Sequence, residues 1–151
     1  MEVERKFIVD TPPDLTGVAS DPIEQGYLAV GADGEVRLRR RGDDRVLTVK
    51  RGSGLSRAEE EIELDPAQFE RLWPLTEGRR LRKRRHVIPH DDLRIELDVY
   101  EDELEGLRVA EVEFPDERAA GEFDPPPWLG RDVTGEEAYL NENLAAHGLP
   151  R

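Results

Sequence analysis

Two sets of side chains, one basic and one acidic, recur at every second position along the 151-residue sequence. Glu2, Glu4 and Lys6 open the chain, and the same spacing returns in Arg37 and Arg39, Glu59 and Glu61, Lys83 and Arg85, and Glu111 and Glu113. Lys6, Arg37, Arg39, Lys50, Lys83 and Arg85 supply forked guanidinium groups and point-charge ammonium groups, a set suited to a polyanion with several phosphates. Glu2, Glu4, Asp98, Glu111 and Glu113 offer hard oxygen donors; with no cysteine in the chain, a site built from them favours Mg²⁺ or Mn²⁺. A divalent ion on phosphate oxygens, with Lys and Arg taking up developing charge, is what phosphoryl transfer requires. A carboxylate can then orient or deprotonate an attacking water.

Such a set works only if the chain gathers it on one surface, and period 2 is the signature of strands that do so. Eight segments qualify: 2–9, 25–30, 36–40, 46–50, 57–64, 81–88, 93–100 and 107–114. Splitting each by parity puts Glu2, Glu4 and Lys6 on one face, with Arg37 and Arg39, Thr48 and Lys50, and Glu59, Glu61 and Glu63. Lys83 and Arg85, Arg94, Glu96 and Asp98, and Glu111 and Glu113 join them. The other face carries Val3 and Phe7, Val36 and Leu38, Leu47 and Val49, Ile62, Ile95 and Leu97, and Val112 and Phe114. An ordinary half-buried antiparallel sheet also has a polar face toward solvent. Here that face lacks the usual Ser, Thr and Gln mixture, and like charges stand side by side on single strands, which costs stability unless something screens them. If the sheet closes, these ions must be paired, hydrated or metal-bound, and the interior becomes a wet, charged tunnel.

Short polar turns such as Arg41-Gly42-Asp43-Asp44 join the strands, predicting an antiparallel sheet or barrel. Asp65 and Pro66 announce a helix with Phe69, Leu72 and Trp73 on one face, and 116–123 is a weaker helical segment. A capping box at Thr134-Gly135-Glu136-Glu137 predicts a last helix with Tyr139, Leu140 and Leu144 as its apolar stripe, stopped by Gly148 and Pro150. Trp73 and Trp128 are expected to pack helices or loops onto the sheet. The basic run Arg79 to Arg85 should split between solvent and interior by parity, and His86, His90 and His147 are expected outside the chemistry.

The chain is 38% charged and 36% hydrophobic, with a formal net charge of −13. The charge argues against a general nucleic-acid coat, and the absence of cysteine removes disulfides, thiolate metal sites and a cysteine nucleophile. No apolar stretch nears membrane-spanning length and no signal-peptide pattern opens the sequence, so a soluble, cytoplasmic protein of one domain, 1–151, is expected.

In this order the motifs resemble those of the CYTH domain, or triphosphate tunnel metalloenzyme, family. Glu2-x-Glu4-x-Lys6 matches its E-x-E-x-K signature. Gln25-Gly26-Tyr27-Leu28, Val36-Arg37-Leu38-Arg39, Leu47-Thr48-Val49-Lys50 and Gly54-Leu55-Ser56-Arg57 follow, then Glu96-Leu97-Asp98-Val99 and Glu111-Val112-Glu113-Phe114. The resemblance implies a mainly β fold, a closed antiparallel eight-stranded barrel with a few outer helices, acting on a triphosphate with Mg²⁺ or Mn²⁺. It assigns Glu2, Glu4, Glu111 and Glu113 to the metal site and catalysis, with Glu59, Glu61 and Asp98 beside them. It assigns Lys6, Arg37, Arg39, Lys50 and Arg85 to the triphosphate, with Lys83 joining them, and Tyr27 to a gating or substrate contact or to simple strand packing. The overall pattern is most similar to the short bacterial inorganic triphosphatases, and hydrolysis of tripolyphosphate to pyrophosphate and phosphate is the expected reaction. Thiamine- or nucleoside-triphosphate hydrolysis, class IV adenylyl cyclase chemistry, and a non-catalytic polyphosphate or nucleotide sensor are the alternatives. The expected partner is a small triphosphate, with no membrane or nucleic acid; a homodimer is compatible with the sequence.

Overall fold

The computed structural model describes residues 3–52 and 58–150. Among them run eight strands: β1 (Val3–Ile8), β2 (Ala19–Gly31), β3 (Gly34–Arg41), β4 (Asp44–Arg51), β5 (Ala58–Glu63), β6 (Arg80–His90), β7 (Leu93–Tyr100) and β8 (Arg108–Phe114). Helices α1 (Pro66–Leu72), α2 (Glu117–Glu122) and α3 (Asn141–His147) are short, and 3-10 turns cover Trp73–Thr76, Asp102–Leu104 and Glu137–Tyr139. Glu2, Arg57 and the Gly54-Leu55-Ser56 motif lie outside the described residues. No helix among the described residues is long and apolar enough to cross a membrane.

All eight strands form one antiparallel sheet in the order β1-β8-β7-β6-β2-β3-β4-β5. β2 begins six residues before the apolar alternation suggests and contains Pro22, which a central strand normally excludes. Pro22 pairs with Arg84 of β6, but the pairing with β3 starts only at Ile23, so no ladder hydrogen bond is lost on that side.

The sheet rests its apolar face on α2 and the chain that follows it. Phe7, Val9, Ile95, Leu97, Ala110, Val112 and Phe114 are buried there with Ala120 and Leu129, and Trp128 packs against them. At about 25 cal/mol for each square ångström of apolar surface removed from water, this face is the main stabilising layer. Trp73 stacks on Phe69 at 5.2 Å between ring centroids, fixing α1 to the turn after it. That turn approaches β2 so closely that a Cβ at Gly26 would lie 2.7 Å from the Thr76 side chain, which accounts for the glycine of the Gln25-Gly26-Tyr27-Leu28 motif.

Expected closure into a hydrogen-bonded barrel is not made among the described residues: β1 and β5 are the two ends of the strand order. The outer edge of β1 is already occupied. The Ile8 amide donates to the Arg131 carbonyl at 2.9 Å, the Lys6 amide to Thr134 Oγ1 at 2.9 Å, and the Val133 amide to the Lys6 carbonyl at 2.8 Å. The opposite edge, β5, is six residues long with four glutamates and is exposed throughout, the composition that keeps an edge strand unpaired. Capture of Thr134 by β1 also explains why the last helix starts later than its capping-box sequence suggests. Residues Glu137–Tyr139 form a 3-10 turn, and α3 begins at Asn141. By contrast α1 has the expected cap, with the Asp65 carboxylate accepting from the Gln68 amide and the Gln68 side chain accepting from the Asp65 amide.

Candidate functional site

Although its edges are not bonded to each other, the sheet curls until every strand reaches one cavity of about 400 Å³. Glu4 and Lys6 enter from β1, Gln25 and Tyr27 from β2, Arg37 and Arg39 from β3, Lys50 from β4 and Glu59 from β5. Lys83 and Arg85 enter from β6, Glu96 from β7, and Glu111 and Glu113 from β8. These are the residues of one parity, and antiparallel register lines them up: Glu4 faces Glu113, Lys6 faces Glu111, Arg37 faces Thr48, and Lys50 faces Glu59. The result is a cationic wall on β3, β4 and β6 opposite an acidic wall on β1 and β8.

The acidic wall is crowded. Burial first, and then the charge of Glu111, raise the Glu4 carboxyl to about 7. Lys6 Nζ sits 3.5 Å from Glu111 Oε1 and donates to the Tyr139 carbonyl at 3.3 Å, so this cation bridges the acidic wall and the 3-10 turn before α3.

Asp98 lies beneath the cationic wall at 1% exposure. It takes 2.8 and 2.9 Å hydrogen bonds from Arg85 Nε and Nη2 and a 2.8 Å ion pair from Lys83 Nζ. Burial alone would raise this carboxyl; Lys83 and Arg85 outweigh it and bring it down to about 2. Arg85 reaches Glu96 as well, at 3.3 Å. Asp98 therefore fixes two cations at the cavity wall and does not itself line the cavity. Arg39 has a lowered pKa, through burial and then its neighbours Arg37 and Arg85, which marks a site short of negative charge. Nε of Arg37 is buried without a hydrogen-bond partner.

Tyr27 is buried, its hydroxyl accepts a 2.7 Å hydrogen bond from Gln25 Nε2, and burial raises its pKa. One end of the cavity is sealed by an apolar cluster of Leu81, Tyr100, Leu104, Leu107, Val109 and Leu144, the last from α3. The Tyr100 hydroxyl donates to Asn141 Oδ1 at 2.6 Å. α3 also brings Asn141 and Glu142 to the cavity. Burial and the nearby Glu35 raise Glu142 to about 6.

Of the sequence-predicted residues, Glu4, Lys6, Tyr27, Arg37, Arg39, Lys50, Glu59, Lys83, Arg85, Glu111 and Glu113 are brought together. Glu61 is exposed on β5 outside the lining, though its charge reaches Arg39. None of the three histidines lines the cavity. Sequence reasoning passed over Glu35, Gln25 and Glu96 as site residues, although each shares the parity of predicted ones. Asn141 and Glu142 carried no periodic signal, because a helix far along the chain delivers them. The basic run divides as its parity predicts, with Arg82 paired outside to Asp102 at 2.7 and 2.8 Å and Arg84 donating to Ser20 at 3.0 Å.

A cavity walled by alternate residues of eight antiparallel strands, cations against carboxylates, can be compared with known families. The model of the CYTH domain matches residues 1–149. The chain belongs to the CYTH domain family. Among relatives, this CYTH protein is 48% identical over 147 residues to an inorganic triphosphatase of Nitrosomonas europaea, covering 95% of this chain and 96% of that one. It is 39% identical over 145 residues to an inorganic triphosphatase of Acetivibrio thermocellus, covering 95% and 92%. A crystal structure of an inorganic triphosphatase superposes with a TM-score of 0.80 at 42% identity, over 99% of this chain and 97% of that one. A Hippeastrum protein described as an adenylyl cyclase with dominant triphosphatase activity shares the CYTH protein's fold alone, at 19% identity and TM-score 0.60 over 80% and 83% of the two chains.

Proposed function

We propose that this CYTH protein is a divalent-metal-dependent triphosphatase that hydrolyses inorganic tripolyphosphate to pyrophosphate and phosphate in the cytoplasm. The observation that carries the reading is the single cavity in which cations of β3, β4 and β6 face carboxylates of β1 and β8. The names of the two relatives support the same substrate.

The donor set fits a metal. Among the described residues no three acids converge at coordinating distance as they stand, and burial beside Glu111 raises the Glu4 carboxyl to about 7. Carboxylates crowded enough to hold a proton near pH 7 are relieved equally by a hard cation, and oxygen-only ligands favour Mg²⁺ or Mn²⁺. Glu4, Glu111 and Glu113 would hold it, with Glu2 by sequence position. When bound, the ion would neutralise phosphate charge and make a nearby water more acidic.

The chain's own residues do the rest. Arg37, Arg39, Lys50, Lys83 and Arg85 bind the triphosphate oxygens, Arg85 and Lys83 already held in place by Asp98. Lys6, on the acidic wall, neutralises charge that gathers on the leaving pyrophosphate. A carboxylate of the acidic wall accepts a hydrogen bond from the attacking water and keeps it in line with the terminal phosphorus. The walls are ionic, so the triphosphate and not an attached nucleoside is the recognised group.

The test is phosphate, pyrophosphate and cyclic AMP release from tripolyphosphate, ATP and thiamine triphosphate with Mg²⁺, Mn²⁺ or EDTA. Preferential, metal-dependent cleavage of tripolyphosphate is expected. Glu4→Gln should lower kcat about 10²-fold or more while triphosphate binding persists. Arg39→Ala should raise KM about 10- to 100-fold. Cyclic AMP as the main product, or equal turnover by Glu4→Gln, would overturn the reading.

A further inference from the structure

The segment that leads into α3 is tied to the sheet at two points. Lys6 Nζ on β1 donates to the Tyr139 carbonyl at 3.3 Å, and the Tyr100 hydroxyl on β7 donates to Asn141 Oδ1 at 2.6 Å. β1 and β7 flank β8 in the sheet, so residues 139–141 span the width of β8. Asn141 ends this crossing half-buried, in the lining of the cavity.

The bond from Tyr100 fixes which way the Asn141 amide points. Tyr100 is 3% exposed and packed among Leu81, Leu104, Leu107, Val109 and Leu144, whose side chains offer no acceptor. Burial, and then the charge of Asp98, raise its pKa, so the phenol stays protonated and its single hydrogen needs Oδ1. A flipped amide would set donor against donor and leave that buried hydrogen without a partner. Nδ2 is thereby turned away from Tyr100, and it has no hydrogen-bond partner among the described residues. The level along the sheet is set as well. Tyr100 faces Lys83 across the β6–β7 ladder, and Lys83 Nζ lies 5.4 Å from its ring centroid. Asn141 therefore brings an unengaged amide donor to the part of the cationic wall where Lys83, paired with Asp98 at 2.8 Å, is the charged neighbour.

Resting on the triphosphatase reading, we infer that Asn141 is a substrate-binding residue whose Nδ2 donates to an oxygen of the phosphoryl group held against Lys83, and that Tyr100 is the positioning residue that fixes its amide. A hydrogen bond to an ionised oxygen is stronger than one between neutral groups, so a single amide here contributes measurably to affinity. α3 is then part of the binding site as well as its cover.

The experiment compares the wild type, Asn141→Asp and Tyr100→Phe in three ways: kcat and KM on tripolyphosphate with Mg²⁺, calorimetric Kd for tripolyphosphate in EDTA, and thermal unfolding without ligand. Asn141→Asp keeps the side-chain shape and an oxygen for Tyr100 but replaces the donor with an anionic oxygen. It should raise KM and Kd about 10- to 100-fold, with kcat within about threefold of wild type and little change in Tm. Because the introduced carboxyl regains a donor when protonated, the ratio of variant to wild-type KM should shrink as pH falls, which a merely structural link would not produce. Tyr100→Phe, which leaves the amide free to turn, should raise KM about 2- to 10-fold. Unchanged KM and Kd in Asn141→Asp would overturn the assignment, as would losses of affinity in both variants that only parallel their losses of Tm. A wild type that binds tripolyphosphate without cleaving it would instead sink the triphosphatase reading, and the Kd series would still decide Asn141.

Discussion

At the scale of single residues, Glu4 shows what burial beside other carboxylates does to an acid. Its carboxyl rises from 4.5 to about 7 because burial and Glu111 disfavour the charged form. The folded chain therefore holds this proton to higher pH than the unfolded chain does. Below pH 4.5 both states are protonated and stability is unaffected; from there to about 7 stability falls as pH rises. Discounted for partial exposure, the loss is about 1–2 kcal/mol. Metal binding requires the ionised form, so metal and proton compete. Activity at limiting Mg²⁺ should climb as pH rises through 7, and raising Mg²⁺ tenfold should move that limb down by up to about one pH unit. A pH–rate series at two metal concentrations checks this; a limb that stays put would remove Glu4 from the metal site. Asp98 titrates the other way: at about 2, its contribution is complete above 3.8 and is lost only in strong acid. Alternation placed both acids on the ionic face but could not tell them apart, since the difference arises from Lys83 and Arg85 enclosing one and Glu111 crowding the other.

At the scale of elements, strands were legible and the last helix less so. Period 2 located all eight strands; in most of them, β5 excepted, one face is packed, so a one-residue slip would bury ions and expose Phe7 or Leu97. Alternation marks faces but not partners. Nothing in Thr134 or Arg131 announced that residues 130–134 would occupy the edge of β1 and thereby displace the expected closure. The capping box predicted a helix start, but Thr134 Oγ1 accepts from the Lys6 amide and α3 begins only at Asn141. α3 is seven residues long, too short to be stable alone, and is held by Leu144 at 1% exposure and by the Tyr100–Asn141 hydrogen bond. Leu144→Ala should cost about 2–5 kcal/mol in urea-monitored unfolding, and Tyr100→Phe about 1 kcal/mol. Because α3 also seals the cavity, Leu144→Ala should raise KM for tripolyphosphate at temperatures where the fold is intact. Full stability in the alanine variant would mean that α3 is not packed as described.

At the scale of the whole molecule, the sheet is an almost-closed wall whose two edges meet only through what lies between them. Residues from β1 and β5 line one cavity without bonding to each other, and β5 is exposed along its whole length. A strand with so few buried contacts belongs to the low-stability end of the fold, so its amides should exchange with solvent ahead of those of β6, β7 and β8. A bound metal and triphosphate would contact both sides at once. Lys50, which faces Glu59 across the β4–β5 pair, would bind the anion from beside one edge, while Glu4 would hold the metal from the other. Binding to the folded state alone adds about 2.7 kcal/mol when ligand stands at 100 times its Kd. For a chain of this length that is a rise in Tm of roughly 5–10 °C. Hydrogen exchange with Mg²⁺ and a non-hydrolysable triphosphate analogue should slow at β1 and β5 more than at the already protected β6 and β7. Metal alone should protect β1 and β8 only, and the analogue with EDTA only the β3 to β6 side. Uniform protection by every combination would mean that the two walls do not act as separate halves, and the division of labour between cations and carboxylates would fail with it.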